Sequence, residues 1–259
     1  MTRRLEYLAE IGLAPVWRLR ARDATPGAKQ TQAASESEAS AVSVGAPPMA
    51  APSRSVLRET KPVRAEASGE RPVRIARLSM DELKAEVKAC SACGLCKSRT
   101  QTVFGVGDES ADWMIVGEAP GAEEDARGEP FVGQAGRLLD NMLAAIGLAR
   151  GENVYIANVL KCRPPGNRNP EAAEVAQCSS LLARQIQLVQ PKLIIAMGRF
   201  AAQTLLNSDA SIASMRGKLY RYQGVATIVT YHPAYLLRSL PEKAKAWEDL
   251  CFARATFKN

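Results

Sequence analysis

The hydrophobic positions of residues 79–259 fall into short apolar runs separated by longer amphipathic segments. The runs have the length and β-branched content of buried strands, and they cover residues 113–116, 153–160, 192–198 and 226–234. The amphipathic segments predict helices over residues 79–90, 134–148, 170–189, 198–206 and 241–257. Because strands alternate with helices, we expect an α/β domain of three layers, in which helices cover both faces of a central four-stranded parallel sheet.

The first predicted helix has a clear beginning. Ser79 is a favourable N-cap, and Glu82 three residues later completes the pattern of a capping box. Leu83, Val87 and Cys90 are spaced to share one helix face. The sequence therefore predicts a helix that leads directly into a cysteine-rich stretch.

The pattern changes before residue 78. Residues 24–77 are rich in Ala, Ser, Pro and charge, so they cannot bury enough apolar surface to offset their ordering entropy. We predict a disordered linker there and a folded domain over residues 78–259. In residues 1–23, Trp17 stands near several arginines. We interpret this segment as a tethered peptide that binds a replication or repair protein. The alternative is a segment that folds back on the domain.

Charge and composition narrow the class of protein. The formal net charge is +7; residues 1–78 carry 13 Lys/Arg against 8 Asp/Glu, and residues 79–259 carry 21 against 19. This basic excess permits a polyanionic partner without requiring one. The sequence has no apolar span of about 20 residues and no signal-peptide pattern, so we expect a cytoplasmic protein, monomeric and without a membrane partner. Its six cysteines are then expected to be thiols or metal ligands.

Polar side chains stand where three predicted strands end. Glu118 lies in the turn GEAPG after the first strand, Asn158 ends the second, and His232, the only histidine, follows the fourth. Ligands of open α/β sheets bind at this edge. The plainer explanation is an ordinary loop with solvated acids and a capping or core histidine.

The cysteines indicate a metal centre. Cys90-x2-Cys93 has metal-binding spacing, Cys96 extends it, Cys162 and Cys178 form a second group, and Cys251 is isolated. Four thiolates suit either tetrahedral zinc or an iron–sulfur cluster. The spacing does not decide between the two, nor which four cysteines bind.

Taken in order, the motifs of the C-terminal 180 residues or so resemble the family 4, or iron–sulfur, uracil-DNA glycosylases. The matching stretches are CSAC (90–93), RTQTVFG (99–105), GEAPG (117–121), PFVG (130–133), YIAN (155–158), KCRPP (161–165) and HPAYLLR (232–238). The resemblance does not extend to residues 1–77.

The resemblance implies a [4Fe-4S] cluster held by Cys90, Cys93, Cys162 and Cys178. It also implies a uracil pocket with a role for each of six residues. Glu118 and the Ala119 amide contact the substrate, Phe131 stacks on the base, Asn158 reads its edge, His232 assists the chemistry, and Glu124 excludes the thymine methyl group.

The chemistry of the residues agrees with these roles. A base inside a duplex must be flipped out before it can be attacked. An amide such as that of Asn158 matches uracil N3–H and O4, His232 can donate to uracil O2, and Glu118 can stabilise the sugar cation or orient water. Ala119 replaces the Asp of the better-studied family, so the water-activating group stays open.

Contacts with single- or double-stranded DNA are expected from the loops. Arg163 and Arg238 are predicted to contact DNA, and Leu236 to wedge into the gap left by the flipped base. Other cations placed in strand-end or loop segments are Lys161, Arg168, Arg216 and Lys218. The loop KCRPPGNRNP holds no insertion and no histidine, so we expect turnover without a stable protein–DNA adduct.

We therefore expect a monofunctional uracil-DNA glycosylase that releases free uracil in base-excision repair. The alternative is a catalytically weak DNA-binding or replication accessory protein recruited through residues 1–23. A third hypothesis, a redox or zinc protein on a similar sheet, predicts no dependence on Asn158 or His232.

Overall fold

The computed structural model describes residues 69–258. The predicted peptide 1–23 and residues 24–68 of the predicted linker lie outside this range. One six-stranded sheet organises the described part of the chain, with the order β1-β3-β2-β4-β6-β5. Its strands are β1 Val106–Gly107, β2 Trp113–Gly117, β3 Val154–Asn158, β4 Leu193–Met197, β5 Leu219–Tyr222 and β6 Val225–Thr230.

The central four strands are parallel, as the sequence predicts, and two short antiparallel strands extend the sheet. Strand β2 pairs in parallel with β3 and β4, and β4 pairs in parallel with β6. Strand β1 pairs with β3, and β5 forms a hairpin with β6. The sequence analysis did not predict β1 and β5, because both lack the fully buried apolar pattern of the central strands.

Helices cover both faces of the sheet. They are α1 Glu70–Ile75, α2 Met80–Lys88, α3 Ala122–Arg127, α4 Gln134–Ala145, α5 Ala172–Val189, α6 Arg199–Leu206, α7 Ile212–Met215, α8 Pro233–Leu236 and α9 Glu242–Lys258. Alternate residues of β2 separate the two cores. Met114 and Val116 pack in the cluster with α5 and α6, and Trp113 and Ile115 pack in the cluster with α4 and α9. This is the expected three-layer α/β/α arrangement.

The folded domain begins earlier than predicted, because α1 lies inside the segment predicted as linker. Ile75, its last residue, is fully buried against Leu83, Val87 and Leu181. Arg74 also forms an ion pair with Glu86 of α2. The boundary at residue 78 is therefore wrong: one apolar anchor is enough to pack this otherwise polar helix.

The capping box of α2 is present as predicted. The Glu82 amide donates to Ser79 Oγ at 3.4 Å, and the Ser79 amide donates to Glu82 Oε2 at 2.7 Å. Within residues 69–258, no helix is long and apolar enough to cross a membrane.

Candidate active site

A cavity of about 620 Å³ opens at the carboxyl edge of the parallel strands. The structure brings six residues singled out by the sequence to its lining, together with Arg238: Glu118, Ala119, Glu124, Phe131, Asn158 and His232. The six come from the ends of β2, β3 and β6, from α3 and from the loop before α4, and Arg238 follows α8. Parallel strands thus gather residues that are more than a hundred positions apart in the chain.

Asn158 presents a buried polar atom to this cavity. The residue ends β3 and is 2% exposed, and its Oδ1 has no hydrogen-bond partner among the described residues. Its main-chain carbonyl accepts a hydrogen bond from Lys161 Nζ at 2.8 Å. A Cβ at Gly117 would overlap Asn158 Oδ1 and the ring of Phe131, so glycine lets both side chains approach the end of β2.

Phe131 forms a wall of the cavity with an unusual backbone. Its φ is +55°, a region that bulky residues rarely adopt. Its ring stacks against the His232 ring, with 5.4 Å between the centroids and 27° between the planes.

Glu124 joins the two loops that frame the cavity. Its Oε2 accepts a hydrogen bond from the Gly121 amide at 3.1 Å. Its Oε1 accepts from the amides of Val132 and Gly133, at 2.9 and 3.1 Å. These three hydrogen bonds cannot be predicted from the sequence, since the amides belong to loops whose proximity only the fold reveals.

His232 is held in one tautomer. The Ala234 amide donates to Nδ1 at 3.1 Å, so the proton of the neutral ring stays on Nε2. The pKa of His232 is lowered to about 4, chiefly by burial and also by the charge of Arg238, while Glu124 opposes the shift. The imidazole is therefore a neutral hydrogen-bond donor at pH 7.

Glu118 follows β2 and faces the same cavity. Burial raises its pKa to about 7, against the opposing charge of Arg199. Arg199 and Gly198 also line the cavity and were missed by the sequence analysis. A glycine directly after an apolar run was the sequence feature that could have indicated this part of the site. In the structure Gly198 has a φ of +91°, and a Cβ there would lie 3.0 Å from His232 Cβ.

The predicted DNA contacts divide into surface and core residues. Arg238 is exposed at the cavity rim. Arg163 is half-buried, and its Nε donates to Asn167 Oδ1 at 2.7 Å. Leu236 is 1% exposed, so its prediction as a wedge is wrong; Tyr235 and Leu237 beside it are each 39% exposed.

Two of the other predicted cations are also unavailable to phosphates. Lys161 is 1% exposed and donates to the main chain of Asn158. Arg216 is bound to the buried carboxylate of Asp249 at 2.6 Å, with only a small part of its side chain accessible. Their positions in strand-end loops misled the sequence analysis, because a loop residue can point into the domain.

Most of the cysteines border a second cavity, which Lys161 of the loop after β3 also lines. Cys90, Cys93, Cys162 and Cys178 line one small cavity, which Cys96 also borders. Arg99 Nη1 donates to Cys162 Sγ at 3.0 Å, and Arg71 Nη2 donates to Cys90 Sγ at 3.3 Å. No group of three Cys, His, Asp or Glu side chains in residues 69–258 has the arrangement of a single-ion site. Cys251 is exposed on α9.

Comparison with known proteins identifies relatives of this chain. Residues 104–251 match the family model described as the uracil DNA glycosylase superfamily. A type-4 uracil-DNA glycosylase of Archaeoglobus fulgidus is 48% identical over 167 residues, which cover 61% of this chain and 83% of the relative. Its counterpart in Sulfurisphaera tokodaii is 45% identical over 180 residues, covering 66% and 81%. That of Thermotoga maritima is 43% identical over 183 residues, covering 69% and 95%.

Proposed function

The chain belongs to the uracil DNA glycosylase superfamily, in its type-4 branch, and from this we propose how its cavity removes uracil from DNA. The activity is hydrolysis of the N-glycosidic bond, which releases uracil and leaves an abasic site. The base must leave the duplex stack to enter the cavity. Phe131, in the cavity wall, provides the surface on which the flipped ring stacks.

The unpartnered Oδ1 of Asn158 is the observation that carries the proposal. A buried acceptor without a donor is costly, and uracil N3–H supplies that donor. The Asn158 amide nitrogen can donate in turn to uracil O4. Cytosine has an unprotonated N3 and an amino group at position 4, so it would face both amide atoms with the wrong polarity. We expect this mismatch to cost about 1–3 kcal/mol.

His232 acts on the bond that breaks. The electrons of the C1′–N1 bond move onto the uracil ring, and negative charge develops on O2. The neutral Nε2–H of His232 donates a hydrogen bond to that oxygen and stabilises the transition state.

Glu118 is the carboxylate available to the sugar. Glu118 and Glu124 line the described part of the cavity, and Glu124 is already bound by three amides. Ionised Glu118 therefore stabilises the oxocarbenium-like sugar and orients the water that attacks C1′. The absence of lysine from the described lining residues supports the proposal that water rather than an amine is the nucleophile and that the enzyme is monofunctional.

The four cysteines fit an iron–sulfur cluster as a structural element. Cys90, Cys93, Cys162 and Cys178 would hold a [4Fe-4S] cluster, since they surround a common cavity and two guanidinium groups donate to their sulfurs. A bound cluster would link the segment after α2, which carries Cys90 and Cys93, to the loop after β3, which carries Cys162. Visible absorption with iron and sulfide analysis tests this: loss of both signals in Cys178→Ala supports the cluster, whereas zinc in the wild type without iron contradicts it.

Release of uracil from a uracil-containing oligonucleotide tests the proposed mechanism. We expect His232→Ala to lower kcat by about 10²–10³. Asn158→Ala should lower kcat/KM for uracil, while the matched variant Asn141→Ala, on the exposed side of α4, keeps wild-type activity. A folded, cluster-loaded wild type that released no uracil would overturn the proposal and favour a DNA-binding accessory protein.

The predicted partner of residues 1–23 stays a prediction.

A further inference from the structure

The wall residue Phe131 is held in its left-handed conformation by hydrogen bonds to the main-chain groups around it. A bulky residue at φ +55° persists only where its surroundings fix it. The amides that follow it, of Val132 and Gly133, are bound by Glu124. The carbonyls at and before Phe131 need a separate partner.

Arg150 supplies that partner from the turn between α4 and β3. Its Nη1 donates to the Pro130 carbonyl at 3.0 Å, and its Nη2 donates to the Phe131 carbonyl at 2.8 Å. Its Nε donates to Asp140 Oδ1 of α4 at 3.0 Å, which orients the guanidinium plane. A planar, permanently charged group can bind two successive carbonyls in this way, whereas a lysine ammonium has no such fork.

The first turn of α4 packs closely against the Phe131 carbonyl. A Cβ at Gly136 would overlap the Phe131 carbonyl oxygen, so only glycine lets the helix approach it. The loop is thus bound at its amides by Glu124, at its carbonyls by Arg150, and packed against Gly136.

We propose that Arg150 is a positioning residue for base recognition, which acts by fixing the ring of Phe131 in the cavity wall. It is not among the residues that line the cavity, so it acts without touching the base. This inference rests on the proposed function, because it assigns Phe131 to stacking on uracil. Without the two carbonyl bonds, Phe131 relaxes toward a negative φ and its ring leaves the stacking position.

A double-mutant cycle on uracil release tests the inference with cluster-loaded protein. The variants are Arg150→Met, Phe131→Ala and both together, and the measurements are kcat and KM on one uracil oligonucleotide. We expect Arg150→Met to lower kcat/KM about tenfold in the wild-type background and less than twofold beside Phe131→Ala.

Two further variants separate positioning from general stability. Arg184→Met removes another guanidinium that binds a main-chain carbonyl, that of Leu78 at 2.7 Å, and should lower Tm without changing kcat/KM. Arg150→Lys keeps the charge without the fork and should lose most of what Arg150→Met loses. It also serves in the cycle if Arg150→Met does not fold.

The outcomes distinguish this inference from the proposed function. Equal losses in both Phe131 backgrounds, or an Arg150 variant with unchanged kcat/KM, would overturn the role of Arg150 while the wild type remains active. A folded wild type that releases no uracil would contradict the proposed function itself.

Discussion

Two ionisable residues of the cavity have pKa values displaced in opposite directions by burial. The pKa of Glu118 is raised to about 7, and that of His232 is lowered to about 4. Above pH 7 the site therefore combines an ionised carboxylate with a neutral imidazole. This pair suits a reaction that creates a cationic sugar and an anionic base.

The pKa of Glu118 predicts the pH dependence of catalysis. We expect kcat/KM for uracil release to rise with pH and to level off above about 7, because the carboxylate must be ionised. Glu118→Gln should be slow and should lose this rise. A profile from pH 5 to 9 measures it, and the same rise in Glu118→Gln would show that another group titrates.

The same shift predicts a pH-dependent stability. The folded protein holds the Glu118 proton more tightly than the unfolded chain, whose carboxyl titrates near 4.5. Its stabilising contribution is complete below that pH and is lost as the pH rises through about 7. We expect Glu118→Gln to have a Tm like wild type at pH 4.5 and a few degrees higher at pH 8, measured by thermal unfolding. A Tm difference independent of pH would contradict the assignment.

The exposed leucine that follows α8 replaces the predicted wedge. Leu237 stands exposed beside the cavity-lining Tyr235, so we expect Leu237→Ala to slow release from double-stranded DNA more than from single-stranded DNA. Only a duplex leaves a gap to fill. Leu236→Ala should instead lower the free energy of unfolding by about 2–5 kcal/mol. Equal effects of Leu237→Ala on both substrates would exclude the wedge.

The sequence predicted the residues of the cavity better than their contacts. Glu118, Asn158 and His232 could be placed because each lies at or just after the end of a strand, and parallel strands bring their ends together. The choice between two adjacent leucines depends on the orientation of a four-residue helix, which no periodicity reveals. The carbonyl bonds of Arg150 depend on two loops that meet only in the folded chain.

At the scale of elements, α1 shows where composition misleads. Its six residues include two arginines, a glutamate and a proline, so averages over the segment indicate disorder. Ile75 alone supplies the buried contact. The short edge strands β1 and β5 were missed for a similar reason, since neither has enough buried positions to produce an alternating pattern.

Packing of α1 gives a direct test of where the domain begins. We expect Ile75→Ala to lower the free energy of unfolding by about 2–4 kcal/mol, because it removes a fully buried side chain. Val73→Ala on the same helix is the control, since Val73 is 47% exposed and should change stability little. Urea unfolding measures both. If Ile75→Ala were as stable as wild type, α1 would belong to the linker and not to the folded domain.

At the scale of the whole molecule, the cavity lies at only one end of the parallel strands of the described sheet. The cavity and its rim arginines lie at the carboxyl edge, and Lys192 precedes β4 at the amino edge. Phosphate contacts are therefore expected on one side of the domain. Residues 79–259 carry nearly equal numbers of positive and negative charges. We therefore expect the position of the arginines, rather than the net charge, to direct DNA to the cavity.

Salt dependence measures this asymmetry. The logarithm of DNA affinity should fall linearly with the logarithm of salt concentration, and we expect Arg238→Gln to reduce the slope by about one. Lys192→Gln, a cation on the opposite edge, should leave the slope unchanged. Equal slopes for wild type and Arg238→Gln would remove Arg238 from the DNA contact.

Gly198 at the end of β4 has a consequence for how such pockets diversify. Asn158 ends β3 and Glu118 follows the adjacent strand β2, and β4 separates β2 from the strand that precedes His232. Hydrogen bonding fixes neighbouring strands about 4.8 Å apart. The distances between these side chains across the sheet are therefore set by how many strands separate them. A change in the accepted base is then expected to come from exchanged side chains around the cavity rather than from moved strands, and a side chain at Gly198 would press on His232 Cβ, 3.0 Å from its own Cβ.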